Sequence, residues 1–423
     1  MRSPALTGMG VLAPNGAGRQ AYWDATLRGE NGIGRITRFD PASYPARLAG
    51  QIGGFDASAE LPNRLIPQTD EVTRLSLVAA GWALADAALD PAALPEYAMG
   101  VVTANTAGGF EFGQRELENL WSKGSGHVSA YQSFAWFYAV NTGQVSIRHG
   151  LRGPGSVVVA DGAGGLDALA QARRMIRNGT PLVLGGAVDG SLCPWSWTAQ
   201  LTGGRLSTLD DPADAYLPFD ARACGHVLGE GGALLVVEDQ DSARARGARV
   251  HGLLDGCAST FDPRPGTGRP PGLERAVRRA LEDAAWDPAD VDVVFADAAG
   301  SPGPDREEAD ALAAVFGPHG VPVTAPKTMT GRLAAGSGPL DVATALLSFA
   351  DQVIPPTVHV REPVHAYRLD LVTAPRRVPL RRAMVLGRGH GGFNSVVAVS
   401  APPEAGPVPS PPGTPAARTT RAA

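Results

Sequence analysis

A thiol is the most reactive nucleophile among protein side chains near neutral pH, and this chain carries three, Cys193, Cys224 and Cys257. They are odd in number and far apart, which excludes a disulfide scaffold and a CxxC-type zinc site. The proton carriers and potential metal ligands are His127, His149, His226, His251, His319, His359, His365 and His390. None forms a spaced ligand cluster; His359 and His365, near prolines, read as a solvated loop, and no metal is expected. The acidic group Asp305, Glu307, Glu308 and Asp310 reads, taken alone, as an exposed helix start, where carboxylates complement the helix dipole. Gly8, Gly10 and Ala13, and again Gly387, Gly389 and Gly392, mimic a dinucleotide fingerprint. That mechanism needs a strand before the glycines and a helix after them. Pro14-Asn15-Gly16 beside the first match is a turn, and Ser395–Val399 after the second reads as a strand, so no nucleotide or other cofactor is expected. Walker A, HExxH and GxSxG patterns are absent from the sequence, which leaves hydrolase and metalloprotease readings unsupported.

One turn has the geometry of a nucleophile elbow. The β-branched run Ser156–Ala160 ends in Asp161-Gly162, and Leu166, Leu169, Ala172, Met175 and Ile176 then fall on one face of a helix that stops at Asn178-Gly179. A reactive residue at such a helix N-terminus has its anion favoured by the dipole and by free backbone N–H groups. The tip of this turn is Gly162, which has no side chain to attack with.

The elements around that turn define an α/β chain. Pro181–Ala187 and Ala233–Val237 are continuous apolar runs, as expected of strands buried on both faces between helices. The 423 residues are 44% hydrophobic and 19% charged, enough to bury a large core, and the net charge of −5 marks neither a nucleic-acid nor a membrane-surface protein. No apolar run is long enough to span a bilayer and no basic leader precedes one, so a cytoplasmic location is expected. A weak internal duplication runs through the chain. A helix through Leu75–Leu89, Asp90-Pro91 and a strand Gly100–Thr103 are echoed by a helix Leu273–Trp286, Asp287-Pro288 and a strand Val291–Ala296. Gly165-Leu166-Asp167 and Pro339-Leu340-Asp341 open matching helices, and each half finishes on a glycine-rich turn and strand, Gly229–Val237 and Gly387–Val399. The predicted units are 1–245 and 246–400, two similar halves, with 401–423 as a proline-rich disordered tail.

Five segments carry a family resemblance that covers nearly all of residues 4–400: TGMGVLAPNG at 7–16, GGFEFGQREL at 108–117, SFAWFYAVNTGQVSIRHGLRGPGSVVVADGAGGLDALAQARR at 133–174, PFDARACGHVLGEGG at 218–232 and GHGGFNS at 389–395. The chain resembles the ketosynthase branch of the thiolase superfamily, and within it the chain-length factors, or ketosynthase-beta subunits, of bacterial type II aromatic polyketide synthases. The resemblance implies a five-layer αβαβα thiolase-like fold built from two duplicated halves. It also implies the family's Cys-His-His set, in which the cysteine takes the acyl chain as a thioester and the histidines stabilise the enolate and oxyanion. All three are missing here. The cysteine position is Gly162, where chain-length factors commonly carry glutamine; the first histidine is matched by Asp297 and the second by Arg332. Glu308, Lys327 and Phe393 of the motifs remain, while the aromatic gate of the terminal motif is replaced by His390.

Glycine forms no thioester, an aspartate places an anion where an enolate needs a donor, and arginine stays charged and is a poor proton shuttle. The expectation is a subunit inactive alone, pairing as a heterodimer with a ketosynthase-alpha subunit that supplies the cysteine and histidines. The growing poly-β-keto chain arrives on an acyl carrier protein, and this subunit caps the tunnel that receives it. Alternatives are a self-sufficient malonyl-carrier-protein decarboxylase or acyltransferase, or an inert thiolase-fold protein. Phe110, Gly113 and Leu117 match the family's gate helix and lie on one helical face, with Trp195 as a further lining residue. Gly113 and Leu117 are small to medium, which predicts a tunnel toward the longer end of the family's range. Residues 131–138 (YQSFAWFY) are dense in aromatics and read equally as a subunit interface or a buried core helix.

Overall fold

The structure, a computed structural model, describes residues 4–264 and 266–402; the predicted tail from 403 onward lies outside the described residues. In the first half the chain runs through β1 (Ala5–Ala13), α1 (Glu71–Asp86), β2 (Met99–Ala104), α2 (Phe110–Lys123), α3 (Val140–His149), β3 (Gly155–Val158), α4 (Gly164–Arg177), β4 (Leu182–Asp189), α5 (Pro194–Leu201) and β5 (Gly231–Glu238). The second half holds β6 (Gly252–Phe261), α6 (Leu273–Ala284), β7 (Val293–Phe295), α7 (Pro302–Phe316), β8 (Pro322–Thr324), α8 (Ser337–Asp351), β9 (Arg382–Gly389) and β10 (Phe393–Ser400).

All ten strands join one sheet, in the order β3-β2-β4-β5-β1-β6-β10-β9-β7-β8, which short segments extend to twelve strands. Read outward from its middle, each half repeats the other strand for strand. Two antiparallel pairings come first (β1 with β5 and β5 with β4; β6 with β10 and β10 with β9), then two parallel ones. The halves meet where β1 and β6 pair antiparallel through Ala5 with Leu253 and Leu6 with Gly252.

Strand alternation assigns each side chain to a layer. On β5, Ala233, Leu235 and Val237 enter a central apolar cluster, while Leu234 and Val236 enter an outer one. On β9, Ala383 and Val385 face the centre and Met384 and Leu386 face out. The central cluster holds Leu166 and Leu169 of α4 and Leu340 and Leu346 of α8, and these two helices touch strands of both halves. α1 covers the outer face of the first half and α6 that of the second, giving five layers. The glycines that mimicked a nucleotide fingerprint have a packing role: a Cβ at Gly8 or Gly10 of β1 would lie 2.3 or 1.9 Å from a carbonyl of α1. Glycine there lets helix and strand approach closely. Gly387 and Gly389 lie in β9, which pairs directly with β10, so no helix follows them. Among the described residues, no helix is long and apolar enough to cross a membrane.

Candidate functional site

The elbow forms as the sequence predicts. β3 ends at Val158, Asp161–Ala163 makes a single tight turn, and α4 starts at Gly164. Asp161 takes a left-handed conformation at φ +48°, and its carboxylate accepts the His390 N–H at 2.7 Å. Gly162 is buried beneath the main chain of β9. A Cβ on it would lie 2.5 Å from the Arg388 carbonyl oxygen and 3.5 Å from Nη2 of Arg332. The turn has no room for a side chain as the backbone stands.

The space around Gly162 is filled by an ion pair. Arg332 donates through Nη2 to Oδ1 of Asp297 at 2.8 Å and through Nη1 to Oδ2 at 3.0 Å, a two-pronged geometry that favours arginine over lysine. Nη1 also reaches the carbonyls of Asp297 at 2.7 Å and Ala298 at 3.2 Å. Burial works to raise the Asp297 carboxyl, but Arg332, helped by Lys327 and Arg388, holds it below the usual carboxylate range. Burial opposes the Arg332 charge most strongly, but Asp297, Tyr216 and Asp161 together outweigh it, so its guanidinium stays charged. Glu308 and Lys327 brace this pair. Glu308 accepts the N–H groups of Asp297 at 2.7 Å and Ala298 at 2.8 Å. Its carboxyl is pushed up by burial and by the nearby Asp297 charge. Lys327 pairs with Asp341 of α8 at 2.7 Å and donates to the carbonyl of Ala296. The cavity left at the elbow is about 180 Å³ and is walled by Asp161, Gly162, Arg205, His226, Asp297 and Arg332 among others. Charged walls of this kind do not suit an acyl chain.

The acidic group on α7 differs from the expected exposed helix start. Asp305 and Glu308 are fully buried, and only Glu307 and Asp310 face solvent. Asp305 accepts the N–H groups of Phe219 at 3.0 Å and Gly300 at 2.9 Å, and burial pushes its carboxyl up to about 6. His226, Arg388 and Asp161, which sequence reasoning did not single out, belong to the site. Burial pushes His226 down to about 3, with Arg332 and Arg205 adding to the shift. Phe393 packs edge-to-face on Phe261, ring centroids 5.0 Å apart, and lines a cavity next to Asp161 and Arg205.

None of the three thiols walls the elbow cavity. Cys193 precedes α5 and is raised by burial, and Cys257 on β6 is pushed up to about 12 by burial. Cys224 is exposed, its Sγ 3.6 Å from the Ser207 hydroxyl. His359 contacts Asn31, and among the described residues no group of side chains could hold a metal ion.

A second cluster sits on α2, the helix that the resemblance implies as the gate. The ring of Phe110 lies against Trp195 at 4.6 Å between centroids, tilted by 30°. Gly113, one turn on, faces the same wall: a Cβ there would lie 3.4 Å from Trp195 Cζ3 and 3.6 Å from Trp136 Cβ. Leu117 continues the face and is 36% exposed. Segment 131–138, open between two readings in sequence, is at the surface: Tyr131, Trp136, Phe137 and Tyr138 are all exposed.

A thiolase-like five-layer fold with a strand–turn–helix elbow at Gly162 defines a ketosynthase scaffold. Residues 2–243 match the beta-ketoacyl synthase N-terminal domain and residues 251–361 the beta-ketoacyl synthase C-terminal domain. The chain belongs to the beta-ketoacyl synthase family. The tetracenomycin polyketide synthase ketoacyl synthase beta subunit of Streptomyces glaucescens is 60% identical over 405 residues, 94% of this chain and 99% of that protein. Among solved structures, the ishigamide ketosynthase/chain length factor matches with a TM-score of 0.86 at 25% identity, over 95% of this chain and 100% of that one. A type II polyketide synthase acyl-carrier protein in complex with its ketosynthase bound to the hexaketide matches with a TM-score of 0.84, also at 25% identity and over 95% of this chain and 100% of that one.

Proposed function

We propose that this chain is the chain-length-determining beta subunit of a type II polyketide synthase and has no condensing activity of its own. It pairs with a ketosynthase-alpha subunit, and the pair elongates a carrier-protein-bound poly-β-keto chain by decarboxylative Claisen condensation. The observation that carries this reading is the elbow: Gly162 offers no nucleophile, and the Asp297–Arg332 pair occupies the surrounding space. The named relatives support the assignment within the family. In the reaction, the alpha subunit's thiolate holds the acyl chain as a thioester. Malonyl-carrier protein loses carbon dioxide, and the resulting enolate carbon attacks the thioester carbonyl and expels the thiolate. This chain contributes walls: it excludes water and limits the depth available to a reactive polyketone.

The surface supports a partner. Among the described residues β3 is an edge strand that hydrogen-bonds only to β2, and an open strand edge is a ready pairing site. Val159 just beyond it is 50% exposed, Ile147 on α3 is 78% exposed, and the aromatics of 131–138 add apolar area. Exposed apolar groups of this number mark an interaction surface. At Gly113 a Cβ would already touch Trp195 and Trp136, so a larger side chain there must displace those rings.

The test is incubation with malonyl-carrier protein, with and without an alpha subunit. Carbon dioxide release and polyketide are expected only with the partner; release by this chain alone would refute the non-condensing role. Gly113→Phe in the reconstituted pair should shorten the polyketide by at least one extension, and an unchanged length would defeat the gate assignment.

A further inference from the structure

We infer that Asp70 is a specificity-determining positioning residue: its carboxylate fixes the entry end of gate helix α2 and so the length at which elongation stops. The inference rests on the chain-length reading above and extends it to a residue outside the gate.

The first turn of a helix leaves N–H groups without intrahelical partners, and a side-chain cap normally takes one of them. α2 has no such cap of its own, because its N-cap residue is Gly109. Its Phe112 N–H is taken from a distance instead, by Oδ2 of Asp70 at 2.8 Å, 42 residues earlier in the chain. The other oxygen, Oδ1, accepts from Val72 N–H at 3.0 Å and caps α1. One carboxylate therefore ties together two helix N-termini, both at the positive ends of their dipoles. Asp70 is 5% exposed, so water competes little for these bonds.

The opposite side of the same turn is held just as closely. Gly109 donates to the carbonyl of Trp136 at 3.1 Å. A Cβ on Gly109 would lie 2.2 Å from the Ala135 carbonyl oxygen and 2.9 Å from Cβ of Asp70. The start of α2 is thus wedged between Asp70 and residues 135–136. The next residues on that turn are Phe110, stacked on Trp195, and Gly113, which faces both Trp195 and Trp136. Releasing the Asp70 contact frees this end of α2 to shift against both tryptophans, which changes the aperture between them.

The test uses the full heterodimer with carrier protein and malonyl supply, and reads product lengths by mass spectrometry. Asp70→Ser keeps a good N-cap for α1 but is too short to reach Phe112 as well. Asp70→Asn keeps the shape and loses the charge. For Asp70→Ser, the ratio of off-length to main product is expected to rise about fivefold, the population change that goes with losing one cap. Asp70→Asn should fall between Ser and native. Gly113→Phe in the same assay separates the two ideas. If Gly113→Phe shortens the product while both Asp70 variants keep the native length ratio, the Asp70 role is overturned and the gate stands, even if total turnover falls. If Gly113→Phe also leaves length unchanged, the chain-length reading itself fails. Should Asp70→Ser not assemble, Asp70→Asn decides by the same ratio.

Discussion

Replacing Arg332 by methionine separates a structural ion pair from a catalytic one. Methionine keeps an unbranched side chain and removes the charge. Asp297, 4% exposed, loses both guanidinium contacts, at 2.8 and 3.0 Å. The carbonyls of Asp297 and Ala298 lose their donor at the same time. Breaking one side of a buried pair costs about 3–5 kcal/mol. The Arg388 N–H at 2.8 Å and the nearby Lys327 remain to soften the loss, so about 3 kcal/mol is expected. The assay is urea unfolding of the purified heterodimer at several pH values. In the native chain the Asp297 carboxyl is held low, so its contribution is present at neutral pH and is lost as pH falls through the folded value. Without Arg332, burial dominates and the carboxyl moves up. The variant's deficit is then largest at neutral pH and shrinks as pH falls and the buried acid takes up its proton. Asp297→Leu combined with Arg332→Met removes both charges and should return to about native stability. A single variant within about 0.5 kcal/mol of native at pH 7, or a double variant no more stable than the single, refutes the structural role.

Three further outcomes follow from the same geometry. Gly162→Cys should destabilise by about 1–3 kcal/mol through the clash with the Arg388 carbonyl, and should not give carbon dioxide release from malonyl-carrier protein; release would show that a thiol alone suffices. His226 is held neutral, with its value depressed to about 3, so its stabilising contribution is complete above about pH 6.5 and is lost as pH falls toward 3. His226→Gln should flatten the stability profile between pH 7.5 and 5 by about 1–2 kcal/mol, and an unchanged slope in urea midpoints would count against it. Ile147→Glu places a charge on the exposed apolar face beside β3; it should leave thermal unfolding of the lone chain unchanged yet abolish co-purification with an alpha subunit.

Much of this was legible in the sequence because the informative signals are local. The elbow needs a β-branched run, a tight turn and an amphipathic helix, and all three lie within 156–177. The repeated order of helix, Asp-Pro turn and strand was visible, and the sheet repeats strand for strand on either side of the β1–β6 seam. What stayed hidden depends on distant backbone. Asp305 and Glu308 read as surface acids because their partners are main-chain N–H groups of residues 219, 300, 297 and 298, which carry no residue-type signature. Apolar periodicity places the start of α1 at Leu75, whereas the helix begins at Glu71, because Asp70 sets it by hydrogen bonding and periodicity does not register a cap. His226 stands isolated in the sequence, and only the folded chain brings it to the same cavity as Arg332.

The strand order has a bearing on how the chain is made. β10, the last strand among the described residues, does not lie at a rim; it is inserted between β6 and β9, next to the seam where the two halves join. Until residue 400 has been translated, β6 lacks its neighbour on that side and the central apolar cluster lacks Val397 and Val399. Folding must therefore wait for pairings between segments far apart in the chain, a slow and aggregation-exposed route. A stop codon ahead of Phe393 removes a middle strand and with it the register of the whole second half, so premature termination there should yield insoluble chain instead of a shortened but working subunit.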